Sequence, residues 1–165
     1  MEDAALAIAD TGPVIALHAV GLLAVLCARF REVRVPLSVW SELTALPGAP
    51  EPRALAALPC VRIVPDVDDV PADVARLGAG ERQALALAIA VRGTVVLIDD
   101  GAARRVARSR GLPHVGTVGL IALAKAVGLC ASARAPFQHL LDGDFRVDRA
   151  IIDAVLRDLG EEPLP

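Results

Sequence analysis

Short runs of apolar residues alternate along the chain with longer helical patterns, and this alternation restricts the fold more than any other feature. The runs that have the length and composition of buried strands are 5–10, 33–35, 61–64, 94–98 and 113–115. The helical patterns between and after them are at about 13–28, 36–46, 53–57, 78–91, 102–110 and 118–127, with two more at the C-terminal end. Parallel neighbours need long crossovers, which are usually helical. The sequence therefore predicts an α/β fold, a three-layer α/β/α sandwich with a central, mainly parallel sheet of four to five strands.

The chain has 165 residues, of which 55% are apolar, so it is long and apolar enough to bury one core. We expect residues 1–165 to form a single domain. Apolar residues at helical spacing between Ile151 and Leu159 predict that the C-terminal helices, about 133–160, pack on this domain or on a partner.

The charge of the chain indicates no particular partner. The formal net charge is −3, which excludes a strong overall attraction to nucleic acid, so any contact with RNA must come from a local patch. Arg104 and Arg105 follow the strand at 94–98 and are the candidates for contact with phosphate groups or with a partner protein. A solvated helix face explains the same two arginines without a function.

The cysteines and the apolar segment at 13–28 bear on location. Cys27, Cys60 and Cys130 are odd in number and widely spaced, without a CxxC motif or a nearby histidine pair, so a zinc site is not expected. A reducing cytoplasm, in which cysteines remain thiols, fits this pattern best. Segment 13–28 is shorter than the roughly 18 residues of a membrane span and follows acidic residues. It predicts a buried helix rather than a membrane anchor or a signal peptide.

Acidic side chains occupy the positions at which ligands gather in parallel α/β folds. Asp10 and Asp99 each end an apolar strand, and the carboxyl ends of parallel strands meet at one edge of the sheet. Glu42 lies near the apolar face of the helix at 36–46, and Glu81 is in the first turn of the helix that follows Gly78. Taken singly, each aspartate is explained as a helix cap, Glu42 as a solvated residue and Glu81 as a partner of the helix dipole.

Together the four acids describe one acidic cleft, in which like charges raise one another's pKa unless a cation neutralises them. Four motifs in order along the chain resemble those of PIN domains: Ala9-Asp10-Thr11, Val35-Pro36 with Trp40-Ser41-Glu42-Leu43, Gly80-Glu81, and Leu97-Ile98-Asp99-Asp100. The stretches 78–84, 99–107 and 111–119 are similar to a prokaryotic PIN-like branch related to VapC-type toxin ribonucleases. The resemblance spans nearly the whole chain.

The resemblance implies a metal-dependent ribonuclease that hydrolyses RNA with a metal-activated water, often the toxin half of a toxin-antitoxin pair. It assigns catalysis, and one or two Mg²⁺ or Mn²⁺ ions, to four acids: Asp10, Glu42, Glu81 and Asp99. Asp100 could replace or assist Asp99 as a metal ligand. Thr11 could orient Asp10 through its hydroxyl, although turn formation explains Thr11 without this role. The implied partners are an RNA substrate and an antitoxin protein, which Arg104 and Arg105 are the candidates to contact, and a second copy of the chain, since PIN proteins commonly dimerise.

The chain departs from the usual PIN pattern at three places. Gly12 stands where many relatives have a hydroxyl residue, Leu97-Ile98 where they have a threonine, and Glu81 where many have aspartate. These departures leave open a catalytically weak PIN-like module that binds RNA or a partner protein.

Two other enzyme classes share fragments of the pattern. Asp99-Asp100 after a strand allows a phosphotransfer enzyme, although the DxDx[TV] motif of such enzymes is missing. Asp10-Thr11-Gly12 matches the short signature of aspartic proteases. That chemistry needs a second such loop in an all-β setting, and the sequence predicts neither.

Overall fold

The computed structural model describes residues 5–45 and 47–165. The strands in these ranges are β1 (Leu6–Ala9), β2 (Glu32–Pro36), β3 (Val61–Val64), β4 (Thr94–Leu97) and β5 (His114–Val115). They form one sheet in the order β3-β2-β1-β4-β5, and every neighbouring pair is parallel. The predicted strands and the predicted parallel α/β/α fold are therefore confirmed.

Helices cover both faces of this sheet, as the crossovers between parallel strands require. In chain order they are α1 (Thr11–Ala19), α2 (Val25–Arg29), α3 (Leu37–Thr44), α4 (Glu51–Ala56), α5 (Ala79–Ala90), α6 (Gly101–Ser109), α7 (Thr117–Ala126), α8 (Arg134–Asp142) and α9 (Arg149–Asp158). Side chains alternate along β1, so Ala7 and Ala9 join one apolar cluster and Ile8 joins the other. The first cluster contains buried side chains from α1–α4 and α7–α9, and the second contains those from α5 and α6.

The single helix expected from the Thr11–Pro13 turn to about Ala28 is interrupted. α1 ends at Ala19 and α2 begins at Val25, and between them Gly21 has a φ of 70°, a left-handed conformation that glycine adopts easily. The Gly21 N–H donates to the His18 carbonyl and the Leu22 N–H to the Leu17 carbonyl, which is a Schellman ending. The sequence did not predict this helix end, because segment 13–28 is almost wholly apolar on both sides of Gly21. In the described ranges no helix is long and apolar enough to cross a membrane.

Two of the three cysteines are joined. Cys27 in α2 and Cys60, which precedes β3, form a disulfide with their Cα atoms 5.4 Å apart, whereas Cys130 is a free thiol. The expectation that all three remain thiols is therefore wrong for this pair. The cysteines are 33 residues apart in sequence, and α2 and the start of β3 both lie against β2, so wide spacing along the chain did not mean distance in space.

The C-terminal helices pack on the rest of the chain, and Glu161 holds the segment that follows them. Phe137 of α8 and Leu156 of α9 are fully buried in the first cluster. Glu161 Oε1 lies 2.6 Å from Lys125 Nζ of α7, and the carboxylate also accepts hydrogen bonds from the Ser132 hydroxyl and the Ala133 N–H. Desolvation raises the pKa of Glu161, but Lys125 and these hydrogen bonds more than offset it and lower the pKa to about 2.

We expect Glu161→Gln to lower the free energy of unfolding by about 3 kcal/mol at pH 7, because the amide cannot replace the ionised carboxylate in these contacts. A carboxylate with a lowered pKa stabilises the fold above 4.5, its value in the unfolded chain, and this contribution is lost as the pH falls towards 2. Urea unfolding at pH 7 and at pH 3 measures the difference. Glu162→Gln removes an exposed charge from the next residue and is the control. Equal stability of the two variants at pH 7 contradicts the prediction.

Candidate metal centre at the edge of the sheet

Asp10 and Asp99 lie at the same edge of the sheet. β1 and β4 are parallel neighbours in a register that pairs Ala9 with Leu97, and the Asp10 N–H continues this pairing by donating to the Leu97 carbonyl at 3.0 Å. Asp10 directly follows Ala9, and Asp99 comes two residues after Leu97. Strand pairing alone therefore brings the two aspartates to the same end of adjacent strands.

The Asp10 carboxylate is buried and incompletely hydrogen-bonded. Its residue is 4% exposed, and Oδ1 has no hydrogen-bond partner among the described residues. Burial raises the pKa of Asp10 to about 7; a hydrogen bond from the Thr11 backbone opposes the rise, and the charges of Glu81, Glu42 and Asp99 add to it. A buried carboxylate oxygen without a donor is costly, and a bound cation would remove that cost.

Glu42 converges with Asp10 over the first turn of α5. Its Oε1 accepts a hydrogen bond from the Gly80 N–H at 2.9 Å, and its Oε2 accepts one from the Thr11 hydroxyl at 2.6 Å. A Cβ atom added at Gly80 would lie 2.8 Å from both Asp10 Oδ1 and Glu42 Oε2. Two carboxylate oxygens thus meet at the position that the missing side chain of Gly80 leaves open, beside the positive end of a helix dipole.

Asp99 is held by the first residue of α7. The Thr117 N–H donates to Asp99 Oδ1 at 2.7 Å, and the Thr117 hydroxyl donates to Oδ2 at 2.6 Å. Thr117 is completely buried, so this pair of hydrogen bonds fixes the Asp99 carboxylate against the sheet. Leu97-Ile98 stands where the PIN pattern has a threonine near the end of the fourth strand. The Thr117 hydroxyl, at the junction of β5 and α7, supports Asp99 instead.

The two remaining acids are placed differently. Asp100 is the N-cap of α6, where its Oδ1 accepts a hydrogen bond from the Ala103 N–H at 2.8 Å, whereas the charge of Asp99 raises the pKa of Asp10. Of the neighbouring pair, Asp99 therefore faces the acidic group. Glu81 folds back over Gly78 at the start of α5, and its charge is the first of the three that raise the pKa of Asp10.

Three details differ from the expected arrangement or were missed. The Thr11 hydroxyl was considered as a group that orients Asp10, but it hydrogen-bonds Glu42 because α1 starts at Thr11 and turns this side chain towards α3. Gly80 and Thr117 were not predicted as site residues. Both had a sequence signal: Gly80 opens a helix immediately before a candidate acid, and Thr117 follows the strand at 113–115 much as Asp99 follows its own.

The two candidate arginines lie on different sides of α6. Arg104 is half-buried, and a Cβ atom added at Gly116 would lie 3.3 Å from Arg104 Nη1 and 2.9 Å from Asp99 Oδ1. Arg105 is exposed, with Nη1 near Gly101. Only Arg104 therefore lies beside the acidic group.

The acids fit a hard divalent cation in donor type, because they offer carboxylate oxygens and no sulfur or imidazole nitrogen. Their position fits in part. Asp10 Oδ1 and Glu42 Oε2 converge, but within ranges 5–45 and 47–165 no three acidic, histidine or cysteine side chains come close enough to complete a metal site. A cation bound by Asp10 and Glu42 would need a further ligand from Asp99 or Glu81. Thr117 now holds the Asp99 carboxylate, and the Glu81 side chain now lies over Gly78.

Comparison with known proteins gives one family. The DUF3368 family model, described as a PIN domain, matches residues 6–161. No curated protein matches the chain. The matched range contains the four acids of the candidate metal centre as well as Gly80 and Thr117.

Proposed function

The chain belongs to the PIN-domain family, whose members are generally nucleases, and on this premise we propose that it is a ribonuclease dependent on Mg²⁺ or Mn²⁺. The observation that carries the proposal is the buried Asp10 carboxylate. Its Oδ1 is without a donor in the described part of the chain, and three further acids act on it. A fold gains no stability from such a group, so a bound cation is its best physical explanation.

Asp10, Glu42, Glu81 and Asp99 are the residues that would hold one or two cations. A divalent cation bound there would polarise the scissile phosphodiester and lower the pKa of a water molecule, the nucleophile of hydrolysis. The surrounding residues position these ligands. Thr117 fixes both oxygens of Asp99, and Thr11 and Gly80 fix those of Glu42. Arg104, beside Asp99, supplies a positive charge for a phosphate oxygen of the substrate.

The first test is cleavage of a fluorescently labelled single-stranded RNA. Cleavage is expected to require Mg²⁺ or Mn²⁺, to stop in EDTA and to be lost in Asp99→Asn. Asp69→Asn is the control, because it removes the same charge from an exposed aspartate outside the candidate metal centre, so this variant is expected to keep its activity. Undiminished cleavage in EDTA, or by Asp99→Asn, contradicts the proposal.

The resemblance to VapC-type toxins supports a more specific role, which we also propose: the toxin half of a toxin-antitoxin pair, acting as a homodimer with an antitoxin partner. Expression of the chain alone is then expected to arrest growth. Co-expression of a small protein from an adjacent reading frame is expected to relieve the arrest. A toxic chain that no neighbouring product neutralises contradicts this role but leaves the ribonuclease proposal intact.

The incomplete convergence of the acids favours one alternative, a PIN-like module that binds RNA or a partner protein without cutting. Calorimetric titration with Mn²⁺ separates the two. A ribonuclease binds the ion in a way that Asp10→Asn removes, whereas a module that has lost catalysis shows no such binding.

A further inference from the structure

Two cavities open on either side of Asp99. The larger, about 730 Å³, lies between α1 and the end of α8, and the smaller, about 300 Å³, lies between α7 and α9. Asp99, Phe145 and Arg146 line both. The segment that connects α8 to α9, residues 143–148, is therefore the wall between them, and both cavities lead to the same candidate metal ligand.

The walls of the larger cavity are mostly apolar. Ile15, Ala16 and Ala19 of α1 face Leu140 and Phe145 across it, and Gly12 leaves space next to Asp99. Ile15 is 45% exposed, although it is a large apolar residue next to a charged site. Pockets of this size with apolar walls and a few polar groups are typical binding sites for small planar molecules.

Phe145 can serve as a fixed platform in this cavity. It is half-buried, packs against the first core cluster and lines both cavities, so the core restrains its position while part of the side chain stays accessible. Arg146 is exposed at the same boundary, and Arg104 borders the smaller cavity. An aromatic face with guanidinium groups beside it is the combination that binds unstacked nucleobases and the phosphates that join them.

The distribution of charge restricts how RNA can lie here. Asp99, Asp100 and Asp144 line the larger cavity, so a phosphate is disfavoured inside it, whereas an uncharged base is not. The phosphates have to pass along the boundary at Arg146, which borders the same two cavities as Asp99, one of the acids that would hold a cation. A duplex is excluded, because its stacked and paired bases cannot enter a cavity separately from the backbone.

We propose, on the basis of the ribonuclease function proposed above, that the substrate is single-stranded RNA whose base next to the scissile phosphate enters the larger cavity and stacks on Phe145, while Arg146 binds the backbone. Phe145 and Arg146 are thus positioning residues for the substrate. A partner peptide with an apolar side chain is the competing occupant.

Binding of a labelled single-stranded RNA of about ten nucleotides, measured by fluorescence anisotropy in EDTA, tests this without requiring cleavage. Phe145→Leu keeps an apolar side chain but removes the aromatic face, and it is expected to weaken binding about 10-fold, whereas Phe145→Tyr is expected to bind like the wild type. Arg146→Gln is expected to weaken binding and to reduce its dependence on salt. The control is Val127→Ala, because Val127 is an exposed apolar residue that lines neither cavity.

A second measurement keeps the test valid if Phe145→Leu folds poorly. For the wild type alone, an RNA in which single nucleotides are replaced in turn by abasic ones is expected to lose about 10-fold in affinity at one position. Where Phe145→Leu is folded, it is expected to show no further loss at that position. Equal binding of intact and abasic RNA by the wild type, or tight binding of a duplex, overturns the inference, as does an apolar peptide that binds while RNA does not. If RNA binds as expected but no cation supports its cleavage, the ribonuclease proposal fails and the binding site stands.

Discussion

Asp10→Asn is expected to stabilise the metal-free protein by about 4 kcal/mol at pH 8 and at the same time to abolish binding of Mn²⁺. The stabilisation follows from the burial of Asp10, which raises its pKa from 3.8 to about 7. Above pH 7 the folded chain holds an ionised carboxylate that is 4% exposed and whose Oδ1 lacks a donor among the described residues. An uncharged amide of nearly the same shape avoids most of that cost.

The effect has a defined dependence on pH. A carboxyl group whose pKa is raised by folding binds its proton more tightly in the folded chain, so the fold loses stability as the pH rises from about 4 through about 7. The asparagine variant has no such loss. The difference between the two proteins is therefore expected to be small at pH 4 and to reach its full size above pH 7.

Urea unfolding in EDTA at pH 4.5 and at pH 8 measures this difference, with Asp69→Asn as the control for the loss of an exposed charge. Mn²⁺ provides an independent comparison at pH 8. The ion binds only the folded wild type and is expected to raise its unfolding temperature, but not that of Asp10→Asn. A variant that is less stable than the wild type in EDTA at pH 8 contradicts the assignment of Asp10 as a strained ligand.

The positions of Asp10 and Asp99 could be predicted from the sequence because each follows a buried strand, and the carboxyl ends of parallel strands lie at the same edge of the sheet. Glu42 was assigned to the same site through the resemblance to PIN domains, and Gly80 was not. Hydrophobic periodicity gives the buried face of a helix but not its height above the strands, so it could not place either residue on α3 or α5 relative to Asp10. That Glu42 and Asp10 converge at Gly80 is known only from the three-dimensional structure.

The same distinction explains the other differences between prediction and structure. The end of α1 depends on the backbone conformation of one residue, Gly21, inside a run in which every side chain suggests a helix. The pairing of Cys27 with Cys60 depends on where α2 lies beside β2. Local patterns predicted the elements and their order, whereas contacts between elements decided which acid the Thr11 hydroxyl supports and which of Asp99 and Asp100 turns inward.

Gly80→Ala is expected to lower metal-dependent cleavage at least about 100-fold while leaving the fold intact. The added methyl group would lie 2.8 Å from Asp10 Oδ1 and from Glu42 Oε2, closer than carbon and oxygen atoms can approach. Glu42 is held by the Gly80 N–H and the Thr11 hydroxyl, and Asp10 is buried, so neither carboxylate can move aside without losing its place. A displacement of about 1 Å at a catalytic centre commonly costs a factor of this size. Alanine is a better helix former than glycine, so α5 itself is not weakened.

Gly101→Ala is the matched control for Mn²⁺ binding. Gly101 also lies in the first turn of a helix at this edge of the sheet, and its added methyl would meet only Arg105 Nη1 at 3.9 Å. Calorimetry is expected to show Mn²⁺ binding in Gly101→Ala and none in Gly80→Ala, with similar unfolding temperatures for both in EDTA. Retention of Mn²⁺ binding and cleavage by Gly80→Ala would place the cation away from the point where Asp10 and Glu42 converge. Loss of both in a folded protein ties the function to that point, since the substitution removes no charge, no donor and no ligand, and changes only the space that the two carboxylates share.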